Sequence, residues 1–263
     1  MNATIAAQMM GADFLKLRKK RGTLIWALVL ALAPVLIFFI VRAAQHSSNA
    51  IEHPPAGGLS GYTDAVRLLA MFFGPLAAIM IGTDAGAGDV SAGVFRDLVV
   101  TGRSRVALFA SRVPAAVGLC WLVIGAGYVL VILGTYLLAS GAPTPSGTLL
   151  ANGLGFSLLS TGVICAVAVG FASLTASRPA ALTVLIGWDL VASPILANIS
   201  SLGSSRKLVL AQAVSHFSPV NLGDRGGRGS TVTMSGATGV IVLAVWLLVF
   251  LALGAWRTRT MDA

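Results

Sequence analysis

The chain has 263 residues, of which 56% are hydrophobic and only 10% charged, against about a quarter charged in ordinary soluble domains. With a mean hydropathy of +0.88, that balance excludes a soluble domain of usual make-up, and the stretches between its apolar runs are too short to bury cores of their own. The net charge is +9, yet the basic residues gather at the ends of the apolar runs, which points to a membrane surface and not to nucleic acid.

In chain order, Ile5 to Arg21 plots as an amphipathic helix, with Ala6, Met9, Met10, Phe14 and Leu17 on one side and Gln8, Lys16 and Lys19 on another. Such a helix is suited to the membrane interface, its basic face toward anionic lipid. Asp13 falls within the apolar arc. Either the helix is rotated and Asp13 reaches water, or this face packs on protein and Asp13 has a cationic partner there.

Six apolar runs follow, at roughly 23–41, 65–82, 114–138, 149–174, 180–198 and 237–255. Each is near the ~20 residues that cross a ~30 Å hydrocarbon core as a helix. The first is longer than the apolar region of a signal peptide, which runs about 7–15 residues, so it is expected to stay as an anchor. The predicted fold is therefore all-α, a single membrane domain over 1–263 with an interfacial N-terminal helix at 1–22.

Ser47 to Tyr62, with Pro54-Pro55 and Gly57-Gly58, reads as a loop. Residues 83–112 read as a segment at the membrane face. There Val90, Val94, Phe95, Leu98 and Val99 recur at helical spacing, and Thr101-Gly102 supplies a stop. Ser104 is placed to cap the helix that enters the third span. The segment thus reads as a short lateral helix suited to pass force between a membrane domain and a soluble motor.

Within the spans, Cys120 and Cys165 read as small packing residues, since they have no metal-ligand spacing. Gly162-x-x-x-Ala166-x-x-x-Gly170 offers a smooth stripe for close helix approach, and Gly118, Gly125, Gly127 and Gly134 offer another. Asp189 lies alone near the middle of the fifth span. An ionisable group at that depth costs roughly 2.5–3.5 kcal/mol, so it is expected to face the bundle interior or a wet cavity. Two roles are open to it: lining a substrate path or dimer seam, or a structural hydrogen bond to a neighbouring span. Ile199 to Gly236 reads as a larger external region, with Leu208, Leu210, Ala211, Val214 and Phe217 on a surface helix and a Gly-rich stretch from Leu222.

With both termini cytoplasmic, 12 of the 18 basic residues lie on the inner side, the positive-inside pattern. The four lysines, Lys16, Lys19, Lys20 and Lys207, include none in a GxxxxGK[ST] motif, so this chain has no phosphate-cradling P-loop.

The run Asp13 to Arg21, the run Asp89 to Val99 followed by Thr101 to Arg105, and the basic ending Trp256 to Asp262 resemble the permease subunits of type-2 ATP-binding-cassette transporters. This chain has Asp89 and Val94 where such permeases usually carry Glu-x-x-x-Gly-Thr, and Asp13 where they usually carry Glu. The resemblance implies a half-transporter in a bacterial cytoplasmic membrane. Two permease subunits, as a homo- or heterodimer, would join two ATPase subunits that bind ATP and Mg, while this chain is no enzyme and holds no cofactor itself. It also implies an ATPase-coupling surface at Asp89, Gly93, Phe95, Arg96, Arg103 and Arg105, completed by Asp13 and Lys16. The plainer reading of Arg103 and Arg105 is that they obey the positive-inside rule. The alternative to an exporter of hydrophobic or amphiphilic substrates is a non-transporting anchor or sensor subunit that docks a cytoplasmic partner.

Overall fold

The computed structural model describes residues 3–93, 104–219 and 232–261, and among these there is no strand. Among the described residues, six helices are long and apolar enough to cross a membrane. A helix α1, Ala3–Lys19, precedes them. The six are α2, Arg21–Ser48, α3, Gly58–Ser91, α4, Arg105–Leu137, α5, Gly147–Thr175, α6, Arg178–Asn198, and α8, Gly236–Thr260. A 3-10 segment at Ser200–Leu208 and a short helix α7, Leu210–Ser215, join α6 toward α8.

Serine hydroxyls start three of the long helices. Ser104 accepts from the Ala107 N–H at 3.2 Å, Ser146 from Leu149 at 3.3 Å and Ser235 from Thr238 at 3.2 Å. Each satisfies one of the four N–H groups that a helix start leaves without an internal partner.

Helices α3 and α5 form the centre. Two thirds of their apolar stretches are buried, against about a fifth for α2, α6 and α8. Glycine makes that centre possible. A Cβ added at Gly82 would sit 2.7 Å from the Ala168 Cβ, and one at Gly86 would sit 2.8 Å from the Ala172 Cβ, so the backbones of α3 and α5 meet with almost nothing between them. Two hydroxyls tie the pair, Ser160 donating to the Ala70 carbonyl at 2.8 Å and Ser173 to that of Gly86 at 3.1 Å. The expected stripe on α5 is used on two sides, Gly162 against Trp121 of α4 and Gly170 against Phe250 and Gly254 of α8. On α4, Gly127 and Gly134 are packed, but Gly118 and Gly125 face open space. Cys120 and Cys165 are free thiols, buried in the bundle.

The rim helices present their large apolar side chains outward, among them Trp26, Ile37, Ile40, Ile241 and Leu248. Lipid tails accept such a surface as readily as a protein core does, so this distribution suits a multi-pass membrane protein.

The structure corrects several boundaries. Thr83 to Ser91 is not a connecting segment but the closing turns of α3, and Arg105 to Arg112 opens α4. The Gly and Ala content from Gly82 to Gly88 lets α3 continue against α5, and its two carboxylates find cations there. Helix α3 ends at Ala92-Gly93, where the Gly93 N–H donates to Val90 at 3.1 Å and φ is +71°, a left-handed turn that favours glycine. Val94 to Val99 and the expected stop at Thr101-Gly102 lie outside the described residues.

At the opposite end, only 49–57 of the expected loop lies outside helices. Tyr62 is fully buried, its hydroxyl 2.7 Å from that of Tyr128 and donating to the Leu149 carbonyl at 2.9 Å. The external helix expected between 199 and 217 divides in two. Leu208 is exposed, while Leu210, Ala213 and Val214 are buried. Most of the Gly-rich stretch lies outside the described residues.

Candidate functional site

At the end of the bundle where α1 lies and α8 closes, five elements converge on two carboxylates. Asp84 and Asp89 project from the last turns of α3 and are 4% and 5% exposed, too buried to stay charged without partners. Asp89 receives the guanidinium of Arg112, from the second turn of α4, at 2.8 Å, and also pairs with the Lys16 ammonium of α1. Asp84 pairs with Lys20 at 3.1 Å and with Arg178 at 3.2 Å, and accepts from the Thr23 hydroxyl. Arg178, the first residue of α6, also donates to the Thr23 hydroxyl at 3.3 Å.

Each partner arrives through local structure. The chain breaks between α1 and α2 at Lys20, where ψ of 79° leaves the helical range, and this turn sends the Lys20 side chain inward beside Gly88. A Cβ at Gly88 would sit 2.5 Å from the Lys20 Nζ, so the glycine makes room for the ion pair.

Asp13 belongs to the same cluster. It is half-buried and accepts from the Ser111 hydroxyl at 2.6 Å. Neither reading of its place in the apolar arc holds entirely: this face does pack on protein, but the direct partner is a neutral hydroxyl. Burial raises the Asp13 carboxyl above its usual 3.8. The Ser111 hydrogen bond and the charges of Arg112 and Lys16 pull it back, while the nearby Asp89 pushes the same way as burial.

Of the other residues expected at a coupling surface, Lys16 and Asp89 are brought together, with Asp89 facing inward and Lys16 reaching it from a partly exposed position. Gly93 forms the turn that ends α3. Arg105 reaches across to α8, donating to the Met261 carbonyl and, at 3.4 Å, to that of Arg259. The last turn of a helix leaves carbonyls unpaired, and a guanidinium satisfies them. Phe95, Arg96 and Arg103 lie outside the described residues.

Reading by charge pattern missed Asp84, Arg112, Lys20, Thr23, Ser111 and Arg178 as site residues. One signal was available. Between Asp84 and Asp89 stand only Ala85, Gly86, Ala87 and Gly88, a composition for a helix pressed against neighbours and not for a solvated loop.

Asp189 occupies a separate site deep in the bundle. It is 8% exposed and borders a cavity of about 40 Å³. Ser160, Ser193 and Trp188 share its polar side, and Met71, Ile164 and Leu185 its apolar walls. Asp189 thus faces the interior, as its cost in the membrane demands.

No protein-family model matches this chain, and no curated protein matches it.

Proposed function

We propose that the chain is the permease subunit of an ATP-driven exporter of the type-2 ATP-binding-cassette kind, oriented with both termini in the cytoplasm of a bacterial cell. On this reading the segment 94–103 receives the motion of a separate ATPase that binds ATP and Mg. A second permease copy or sister chain completes the membrane dimer, and lipid surrounds it.

One observation carries the reading. The two ends of the 94–103 segment leave a stiff mount, because Asp89 just before it and Arg112 just after it are joined by a buried ion pair that also engages α1. Load applied to the segment therefore passes into α3, α4 and α1 together, not into a slack loop. Asp84 extends the same linkage to α2 and α6 through Thr23 and Arg178. A coupling element needs such rigidity, since motion absorbed locally would not reach the membrane.

The experiment is affinity purification of the chain in mild detergent from its native membrane, with mass spectrometry of partners and an ATPase assay. The expected result is a stoichiometric P-loop ATPase whose recovery falls with Phe95→Ala while the membrane part stays folded. A folded sample that retains no ATPase overturns the exporter reading in favour of an anchor or sensor subunit.

A further inference from the structure

The acids of α3 mark out the depth of a membrane. Asp64 and Asp84 stand 20 positions apart on this helix, about 30 Å along its axis, which is the thickness of a hydrocarbon core. Asp84 belongs to the buried cluster described above, and Asp64 is answered at the opposite end by Arg42 of α2 at 3.2 Å. The Arg42 guanidinium also lies over the Phe38 ring at 5.4 Å. Arg67, almost one turn further in than Asp64, is held differently. It is half-buried, and among the described residues no hydrogen bond or ion pair engages it. Glu52, exposed in 49–57, pairs with neither arginine. Arg42, Asp64 and Arg67 thus carry two positive charges against one negative. A cation at the edge of the hydrocarbon layer is costly unless something answers it, and a guanidinium pairs with two phosphate oxygens at once.

Space for a headgroup adjoins this position. Ser60 and Thr63 share a face of α3 with Arg67, by their helical spacing. Both border a recess of about 550 Å³, which Pro143, Leu149 and Pro219 also line. That volume lies within the range of small-molecule sites, and no charged residue lines the recess. The Thr63 hydroxyl donates to the Ser60 carbonyl at 2.9 Å, so its oxygen is left to accept. The Ser60 hydroxyl is exposed and engages nothing among the described residues. The recess therefore offers hydroxyl groups, while the cation beneath it supplies the charge. Further into the membrane, Leu68 and Leu76 of the same helix are partly exposed and present an apolar flank.

We infer that Arg67 and this recess bind an anionic phospholipid of the adjoining leaflet. Its phosphate pairs with the Arg67 guanidinium, a hydroxyl-bearing headgroup lies against Ser60 and Thr63, and an acyl chain runs along Leu68 and Leu76. The site requires that the chain span a membrane, and it requires no ATPase.

The test uses the full chain in nanodiscs of phosphatidylcholine. Phosphatidylglycerol and phosphatidylcholine, each with a diazirine on one acyl chain, are added separately at equal trace amounts, and cross-links to residues 64–76 are counted by mass spectrometry after irradiation. Labelling by the glycerol lipid is expected to exceed that by the choline lipid about fivefold. It should saturate with unlabelled phosphatidylglycerol, fall to the choline level in Arg67→Gln, and fall likewise in Ser60→Trp, which fills the recess. Equal labelling by the two lipids, which is ordinary contact with surrounding lipid, overturns the inference, as does unchanged labelling in folded Arg67→Gln. Competition by soluble glycerol 3-phosphate as effective as that by the lipid also overturns it, in favour of a free phosphate. Should Arg67→Gln fail to fold, the preference of the unaltered chain and the effect of Ser60→Trp decide. Because the assay contains no ATPase, its failure leaves co-purification of an ATPase standing, and a missing ATPase leaves lipid binding standing.

Discussion

Arg112 is 3% exposed and faces a carboxylate that is nearly as buried, which makes it the side chain on which the charged cluster most depends. Arg112→Met leaves Asp89 inside the protein with Lys16 as its remaining cation, and such a loss costs about 3–5 kcal/mol. Adding Asp89→Asn should return much of this, a coupling that a double-mutant cycle of thermal unfolding in detergent will show. Lys16, whose side chain is 40% exposed, pairs with the same carboxylate through partly screened contact, so Lys16→Ala should cost no more than about 1 kcal/mol. Asp13 contributes a pH dependence of its own. Its carboxyl holds a proton more tightly when folded than when unfolded. Acid therefore favours the folded state through this group, fully so below 3.8, and the benefit is lost as pH rises through the higher folded value. Asp13→Asn stays neutral and should flatten that part of the stability profile, measured between about pH 4 and about pH 7. The sequence made Asp13 conspicuous as an acid on an apolar arc. It did not reveal Ser111 as the partner, because a serine near the start of a long apolar helix carries no signal of what it faces.

At the scale of elements, the apolar runs were legible because bilayer thickness imposes a minimum length on them, and all six appear as helices. Their ends were less legible. Hydropathy drops at Asp84, so the second run reads as finished near 82, yet the helix continues to Ser91 because the carboxylates are neutralised by residues distant in the chain. Hydropathy counts a paired acid and a solvated acid alike. Glycine shows the same ambiguity, since Gly82 and Gly118 look equivalent in sequence. In the structure a Cβ at Gly82 would meet the Cys165 carbonyl oxygen at 2.5 Å, whereas one at Gly118 meets nothing within 4 Å. Gly82→Val should separate α3 from α5 and cost about 1–3 kcal/mol or more by overpacking. Gly118→Ala should be neutral or stabilise by up to about 1 kcal/mol through helix propensity. Unfolding midpoints of the two variants in the same detergent check both.

Across the whole molecule, α1 and the end of α8 meet the start of α4, and the start of α6 meets the end of α3, at one end of the bundle, while 49–57 and 138–146 lie at the other. A membrane-impermeant thiol reagent added to intact cells should label Ile51→Cys, which is 98% exposed, and should reach Leu15→Cys only after the membrane is opened. The reverse pattern would invert the proposed orientation. Because the native thiols are buried, background labelling should be low. Membrane class and span count were readable from composition and run length alone, but the association of Asp84 with Arg178 was not, since 94 positions separate them along the chain. That association also bears on the π-turn at Trp188–Ala192, which lies on the same helix as Arg178. A π-turn is equivalent to one residue inserted into an α-helix, and one residue is about 100° of rotation. Deleting Val191 should restore regular winding and rotate the part of α6 that follows it, so that Ser193 of the cavity and Arg178 can no longer both point where they do. The single extra residue thus acts as an indexing pin that sets the angle between the cavity in the bundle and the charged end of the molecule.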